Sequence, residues 1–383
     1  MQQNDVSNYD EEGACSVSVE CRTVKDKGVM GTIYTAAKMW HYPEQLEALK
    51  SGKLAAPVHI RLKPTNVCNH NCYFCAYRIE DLDLGGDMNL KDRLAPEKMA
   101  EIVEDIVDMG VKAVTFTGGG EPLLYPTFAK TVEDLAAGNV KVSVLTNASQ
   151  LSGKKADVLA RHATWVRVSI DGWDGPSYAE YRGVDENEFD KVISNLTAFS
   201  RLGSDCVLGA SIIVDHRNAS HIAELASTLK TAGVAHAKIS ACVVSNNGAD
   251  NNAYHADFSH VVKDQIEKAR ILNGGGFEII DHYHELAERF DKDYDDCPFL
   301  QFLTVIGADG VVYTCQDKAY TKSGTLGSLE GRRFRDYWYS EENRLAMNAL
   351  TPSSVCGHHC VAEAKNRLLL DYLDSDPAHR PFV

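Results

Sequence analysis

The feature that most constrains the fold is a regular alternation of short apolar segments with amphipathic ones over residues 58–240. Segments with helical periodicity lie between the apolar ones. In Pro96–Met109, for example, Met99, Ile102 and Ile106 recur on one face. Continuous apolar strands that alternate with helices predict a parallel sheet covered on both faces. Eight such units would close a full barrel, so six predict an α/β fold with an open, partial (β/α)6 barrel resembling a TIM barrel. The six predicted strands are Val58–Leu62, Val111–Phe116, Val140–Leu145, Trp165–Ile170, Cys206–Val214 and His236–Ser240.

The segments on either side of this alternation do not show the same pattern. Residues 1–30 are polar and aperiodic, which predicts a mobile tail, and a helical pattern follows over Thr32–Leu54 with a break at Pro43. A turn-rich linker is predicted at 246–252. We therefore expect three parts: residues 1–57, a core over 58–282, and a small C-terminal α+β domain over 283–383.

Three further elements are predicted in the C-terminal half of the chain. A helix is expected near Phe258–Leu272 and a short strand at Phe277–Ile280. Asp309-Gly310 between two apolar runs predicts a β-hairpin. The last helix is expected at Ala362–Leu373.

Composition excludes several classes of protein. The chain has 383 residues and a formal net charge of −15, which disfavours binding to nucleic acid or to an anionic membrane surface. The N-terminal residues lack the apolar core of a signal peptide, and no apolar run is long enough to span a membrane. These features predict a cytoplasmic location. There, the 11 cysteines are not expected to form a disulfide framework.

One group of cysteines lies in the loop after the first predicted strand. Cys68, Cys72 and Cys75 are spaced C-x3-C-x2-C, and three thiolates leave one iron of a four-iron, four-sulfur (4Fe–4S) cluster without a protein ligand. Such an iron can bind a small chelating molecule. Zinc is the alternative, with His70 completing the ligand set, although structural zinc favours two separated pairs of ligands.

This segment resembles the signature of the radical S-adenosylmethionine (SAM) superfamily. The resemblance implies that SAM binds the open iron and that reduction releases a 5′-deoxyadenosyl radical, which abstracts hydrogen from a substrate C–H bond. The cofactor supplies the chemistry and the protein supplies orientation. Phe74 matches the family's aromatic position beside the adenine. The resemblance also implies an electron donor of the flavodoxin or ferredoxin type.

Other strand ends carry residues that fit the same family site. The triplet Gly118, Gly119 and Gly120 with Glu121 resembles the family's GGE motif, which contacts the SAM amino group, although glycines also serve tight turns. Ala148 stands where many relatives in the family have glycine. Three more positions resemble SAM-site residues, and packing roles are the alternative for them. These three positions are Asn147, Ser169 and Arg182.

A second group of cysteines lies in the C-terminal part. Two pairs of thiols could hold zinc, and spacing alone does not exclude it. The pattern resembles the SPASM domain, and with four cysteines it resembles the shortened twitch form, which implies one auxiliary 4Fe–4S cluster. His358 and His359 are expected beside the ligands or exposed rather than as ligands. The four cysteines are Cys297, Cys315, Cys356 and Cys360.

Asp317 is the candidate catalytic base, because it lies two residues after Cys315 and a substrate that is oxidised also loses a proton. A solvated hairpin aspartate is the alternative. The polar run at 281–285 is expected to start a helix. Cys206 and Cys242 are expected in the core, whereas Cys15 and Cys21 receive no role.

Two substrate classes fit the resemblance. The first is oxidation, epimerisation or elimination on a small molecule such as a sugar, aminocyclitol or nucleoside. The second is maturation of a ribosomally made peptide by crosslinking or by oxidation of Ser or Cys. Residues 1–57 lack three clear strands for a leader-binding domain, which favours the small molecule. A non-enzymatic iron–sulfur or zinc protein is a third reading, which the open three-cysteine site disfavours.

Overall fold

The computed structural model describes residues 33–79 and 82–382. Residues 36–383 form a compact unit. The tail predicted at 1–30, with Cys15 and Cys21, lies outside the described residues. No helix in the described ranges is long and apolar enough to cross a membrane.

The strands form one sheet with the spatial order β10-β9-β8-β1-β2-β3-β4-β5-β6-β7. β1 to β7 are parallel and adjacent in chain order, and β8 adds a further parallel strand beside β1. In the described part of the chain β7 and β10 are the edges, so the sheet is open. The strands are β1 His59–Leu62, β2 Ala113–Phe116, β3 Lys141–Thr146, β4 Ala163–Ser169, β5 Val207–Val214, β6 His236–Ala241, β7 Glu278–His282, β8 Leu303–Ile306, β9 Val311–Tyr313 and β10 Thr325–Ser328.

The helices between the parallel strands cover one face of this sheet. The helix that follows β1, for example, buries Met99, Ile102 and Ile106 in the same core as Ile60 and Leu62 of the strand. Burying each such side chain contributes roughly 1.5–3 kcal/mol. The helices are α1 Pro43–Ser51, α2 Pro96–Asp108, α3 Phe128–Ala137, α4 Gly153–His162, α5 Gly175–Arg182, α6 Asn187–Ser200, α7 Ile222–Thr231, α8 Gly248–Ala256, α9 Ser259–Arg270, α10 Phe334–Trp338, α11 Glu341–Asn348, α12 Pro352–Val355 and α13 Glu363–Asp374.

The predicted α/β architecture is confirmed, and so are the six alternating strands. The sheet extends beyond them at both edges. The strand predicted at Phe277–Ile280 is β7, which pairs in parallel with β6. The predicted hairpin is β8–β9, with Gly310 at its turn in the left-handed region at a φ of 73°. Because β8 pairs with β1, the sheet runs continuously from the predicted core into the predicted C-terminal domain.

Two local predictions are wrong. The turn-rich linker at 246–252 is largely helical, because the Asn247 side chain accepts the backbone N–H groups of Ala249 and Asp250 and so caps α8. Residues 281–285 do not start a helix, since Asp281 and His282 end β7. Polar residues that look like turn formers act here as a helix cap and as the end of a strand.

Candidate active site

The loop after β1 carries Cys68, Cys72 and Cys75, and backbone hydrogen bonds attach it to two other elements. Gly120 N–H donates to Thr65 O at 3.0 Å, and Glu121 N–H donates to Val67 O at 3.0 Å. Further along the loop, Asn71 N–H donates to Arg182 O at 2.8 Å. The cysteine loop is therefore tied to the carboxyl end of β2 and to the end of α5.

The glycine triplet is needed for this attachment. A side chain at Gly119 would overlap the side chain of Asn66, and one at Gly120 would overlap the backbone of Val67. Both clashes are with the cysteine loop itself. The glycines thus allow close approach between two protein segments, and a contact with SAM remains a prediction.

The Glu121 carboxylate joins the ends of β2 and β3. It accepts hydrogen bonds from Leu123 N–H at 2.9 Å, Thr146 Oγ1 at 2.7 Å and Asn147 N–H at 2.7 Å. Burial raises the pKa of this carboxyl group, and these donors counteract the rise. In this arrangement Glu121 acts on neighbouring backbone and positions Asn147.

Asn147 faces the cysteine loop, and its Nδ2 donates to Asn69 Oδ1 at 3.0 Å. The next residue, Ala148, has a φ of 60°. This left-handed conformation favours glycine. The backbone therefore explains why glycine suits this position in proteins of similar sequence.

Arg182 lies against the middle cysteine. Its Nη1 donates to Cys72 Sγ at 3.4 Å, and its guanidinium lies 5.4 Å from the centre of the Phe74 ring. Its other terminal nitrogen pairs with Asp171, which follows β4. The structure thus brings together three of the predicted residues: Cys72, Phe74 and Arg182. Ser169 lies half-buried at the end of β4, and no described hydrogen bond involves its hydroxyl group.

Burial changes the proton affinity of the cysteine loop. It raises the pKa of Cys68 to about 11 and also raises that of Cys75. It lowers the pKa of His70 to about 4, so this imidazole is neutral near pH 7. Binding of iron or zinc would displace the protons of these half-buried thiols.

The second group of cysteines comes from three separate segments. Cys297 precedes a short 3-10 helix, Cys315 follows β9, and Cys356 and Cys360 lie between α12 and α13. Burial, followed by the nearby thiolates of Cys360 and Cys356, raises the pKa of Cys297 to about 12. All four thiols are free, and their grouping around one cluster remains a prediction.

Asp317 lies beside this group. Its Oδ2 is buried and has no hydrogen-bond partner among the described residues, so the alternative of a solvated hairpin aspartate is wrong. Burial raises the pKa of Asp317, and the charge of Arg61 is the main opposing influence. A carboxylate oxygen of Asp317, Cys315 Sγ and a ring nitrogen of His358 lie within 4.8 Å of one another. Its role as a base remains a prediction.

His358 is buried, and burial lowers its pKa to about 3, while His359 is half-buried with a pKa of about 4. Both rings are therefore neutral near pH 7. Neither is exposed, and His358 is the one that approaches Cys315. Cys206 and Cys242 are buried, as predicted.

Side chains that the sequence did not single out connect the two cysteine groups. The fully buried Lys63 donates to Gly118 O and, at 2.8 Å, to the hydroxyl of Tyr77, which in turn contacts Gln316. Tyr320 OH donates to Asn66 Oδ1 at 2.6 Å. A lysine at the end of an apolar strand, directly before the cysteine loop, was the available signal for this network.

Comparison with known protein families bears on the cysteine loop directly. A family model described as the radical SAM superfamily matches residues 62–229, which include the cysteine loop, the glycine triplet and Arg182. Residues 62–229 thus carry a radical SAM domain. Radical SAM enzymes bind SAM and a 4Fe–4S cluster, and the free, half-buried thiols of the loop fit such a cluster.

Two curated relatives and one solved structure extend the comparison. GTP 3′,8-cyclase of Psychromonas ingrahamii is 25% identical over 304 residues, which cover 73% of this chain and 87% of the relative. The sporulation killing factor maturation protein SkfB of Bacillus subtilis is 24% identical over 262 residues, covering 68% of this chain and 60% of the relative. The crystal structure of Streptococcus suis SuiB bound to the precursor peptide SuiA matches with a TM-score of 0.58 and 18% identity, covering 82% of this chain and 71% of SuiB. The SuiB match is a likeness of fold that includes residues outside 62–229.

Proposed function

We propose that Cys68, Cys72 and Cys75 hold a 4Fe–4S cluster with one open iron, and that this radical SAM enzyme cleaves SAM reductively to start hydrogen abstraction from a substrate. When bound, the cluster and SAM supply the electron and the 5′-deoxyadenosyl radical. The observation that carries the proposal is the Arg182 contact with Cys72, made in a loop tied to the ends of β2 and α5. Because parallel-sheet proteins bind ligands at the carboxyl ends of their strands, this loop lies where a cofactor is expected.

Each neighbouring residue has a defined task in this proposal. Arg182 holds the Cys72 sulfur by a charge-assisted hydrogen bond. Phe74 offers an aromatic face beside that charge. Asn147 and Ser169 place polar groups at the ends of β3 and β4 for SAM.

We assign the auxiliary 4Fe–4S cluster to Cys297, Cys315, Cys356 and Cys360. The alternative, zinc, would hold its sulfur ligands about 3.8 Å apart, given Zn–S bonds of about 2.3 Å. Within the described ranges, however, the group of three ligand atoms found within 4.8 Å of one another contains only one of these sulfurs, that of Cys315. The support for a cluster is the four-cysteine pattern, which resembles the twitch form.

Net oxidation of a small molecule is the favoured reaction. The auxiliary cluster, when bound, supplies an electron acceptor near the substrate. Asp317 supplies a proton acceptor, because a buried carboxyl with a raised pKa is a stronger base than a solvated one. We expect a flavodoxin- or ferredoxin-type protein to deliver the initial electron.

Peptide maturation is the second candidate. SkfB, a relative by sequence, is named as a maturation protein for a sporulation killing factor, whereas the other relative is named as acting on GTP. Mass spectrometry separates the two classes. Deuterium from a labelled small-molecule extract, rather than from a labelled precursor peptide, is expected in 5′-deoxyadenosine.

Spectroscopy tests the cofactor assignments. The anaerobically reconstituted protein should contain about eight irons, and replacement of all three loop cysteines by Ala should leave about four. Electron paramagnetic resonance of the reduced protein should change when SAM is added, because SAM binds the open iron. An unchanged spectrum, with about four irons and stoichiometric zinc, contradicts both assignments.

A double variant tests the separation of the two sites. Cys315→Ala combined with Cys356→Ala should keep the SAM-dependent spectral change and slow SAM cleavage but lose substrate turnover. Full turnover by this variant would show that the second group of cysteines is not required for the reaction.

A further inference from the structure

The last helix, α13, buries polar side chains next to the segment that carries Cys297. The buried residues of this helix are Glu363, Asn366 and Leu369. Leu369 packs in an apolar cluster with Phe302. The other two side chains are polar, and burying a polar group is unfavourable unless it finds a hydrogen-bond partner. Their hydrogen bonds therefore show what this face of the helix holds.

Both polar side chains bind the segment around Cys297. Tyr294 OH donates to Glu363 Oε2 at 2.7 Å, and Phe299 N–H donates to Asn366 Oδ1 at 3.0 Å. Because a backbone N–H can only donate, the bond from Phe299 fixes which end of the Asn366 amide is the oxygen. The NH2 group of Asn366 then faces Cys297, and its Nδ2 donates to Cys297 Sγ at 3.3 Å.

The NH2 group of Asn366 suits a deprotonated sulfur better than a thiol. A neutral thiol is a weak acceptor, and the Cys297 thiol can instead direct its own proton to Asn366 Oδ1, which is 3.5 Å from the sulfur. A thiolate that binds iron has no proton to donate. A hydrogen bond to a charged acceptor is also about twice as strong as one between neutral groups. The bond from Phe299 accounts for the amide oxygen, and a thiolate ligand would account for the NH2 group.

Unpaired polar atoms near the other auxiliary cysteines indicate that this space holds an occupant. Buried polar groups in proteins are nearly always paired, whereas these atoms are buried and have no hydrogen-bond partner among the described residues. The residues present thus fit a group bound among these cysteines, as the auxiliary cluster would be. The atoms are Thr314 Oγ1, Gln316 Oε1 and Asp317 Oδ2 beside Cys315, and His358 Nε2 and His359 Nε2 between Cys356 and Cys360.

A side chain donates an N–H group to a sulfur in each of the two groups of cysteines, and the two donors differ in charge. In the cysteine loop, the donor to Cys72 is the guanidinium of Arg182, at 3.4 Å. At Cys297 the donor is the neutral amide of Asn366, which is 1% exposed. Hydrogen bonds to the sulfur ligands are among the influences that set the reduction potential of an iron–sulfur cluster. The Asn366 contact therefore has a consequence that can be measured.

We propose that Asn366 is a positioning residue of the auxiliary site, and that its NH2 group, by donating to the Cys297 sulfur, raises the reduction potential of the cluster held there. Reduction adds negative charge to a cluster and its sulfur ligands, and a hydrogen-bond donor stabilises that charge. A raised potential favours uptake of an electron, which is the task of this cluster in the proposed function. The role of Asn366 rests on that function.

A redox titration monitored by electron paramagnetic resonance tests the proposal in the full-length variant in which all three loop cysteines are Ala, since its remaining iron is that of the auxiliary cluster. Asn366→Asp keeps an oxygen for the Phe299 N–H and replaces the NH2 group by an acceptor, whereas Asn366→Leu removes the donor without adding a charge. In both variants the ratio of reduced to oxidised cluster at a fixed applied potential should fall about ten-fold, which is a fall of about 59 mV in the midpoint potential of a one-electron couple. Asp371→Asn, at an exposed position of α13, is the matched control and should titrate like the parent.

The proposal is overturned by an unchanged midpoint potential in both Asn366 variants or by an equal fall in Asp371→Asn. A fall in Asn366→Asp without one in Asn366→Leu would assign the effect to the added charge and would overturn it as well. If Asn366→Leu does not fold, Asn366→Ala takes its place. Iron content separates this proposal from the proposed function. No iron in the variant without loop cysteines contradicts the auxiliary cluster and with it the role of Asn366, whereas about four irons with an unchanged potential contradict the role of Asn366 alone.

Discussion

The buried ion pair between Asp171 and Arg182 holds the cysteine loop. Asp171→Asn should reveal how much this ion pair contributes to the free energy of unfolding. The Asp171 side chain is 0% exposed and that of Arg182 is 5% exposed. The Asn side chain has nearly the same shape and can still accept the Ile213 N–H, which donates to Asp171 Oδ1 at 2.7 Å. The substitution therefore keeps the shape of the side chain but replaces the oxygen that accepts from Arg182 by an NH2 group, which leaves a buried guanidinium without its partner. Such a loss costs about 3–5 kcal/mol.

Thermal unfolding of the reconstituted protein measures this cost. For the 348 residues of the compact unit, an unfolding entropy of about 2.1 cal/mol/K per residue makes 1 kcal/mol equal to about 1.4 °C. Asp171→Asn should therefore lower the Tm by about 4–7 °C. Asp264→Asn is the matched control. The side chains of Asp264 and its partner Lys268 are 58% and 56% exposed, and such an exposed pair contributes about 0–1 kcal/mol. Equal shifts in the two variants would refute the reasoning.

Three further variants test other parts of the structure. Burial lowers the pKa of His59 to about 3, so below about pH 6.5 the unfolded chain binds a proton that the folded chain does not. The contribution of His59 to the free energy of unfolding is therefore fully present above that pH and is lost as the pH falls below it. Between pH 7.5 and 5.5 this effect amounts to about 1.4 kcal/mol, and His59→Gln should reduce the pH dependence of unfolding by that amount. Gly120→Ala should lower the iron content of the cysteine loop because its side chain meets the loop backbone, whereas Gly86→Ala, which has only an ordinary contact at 3.6 Å, should not. Asp317→Asn should reduce product formation more than 5′-deoxyadenosine formation, and equal turnover would remove its assignment as the base.

The parallel strands were predictable because each is a short apolar run between helices with a clear period. Val142, Val144, Val166 and Val168, for example, face the helices and are buried. The nearby thiols of the cysteine loop were predictable for a similar reason, since their spacing is local. These features depend on residues that are close together in the chain.

Features that depend on distant contacts were not predictable. Tyr320 meets Asn66 across 254 residues, and Asp317 is buried because Arg61 and the segment around Val361 fold onto it. The sequence indicates a turn at Asn247, and only the structure shows that its side chain caps a helix. In each case the side chain's surroundings come from tertiary packing rather than from its neighbours in sequence.

The production of 5′-deoxyadenosine and methionine from SAM under dithionite tests the central claim most directly. The anaerobically reconstituted protein should form both compounds, slowly without substrate. Cys72→Ala should abolish their formation, because the loop can then no longer hold a cluster with an open iron. Formation at the parent rate by the variant lacking Cys68, Cys72 and Cys75 would contradict the account.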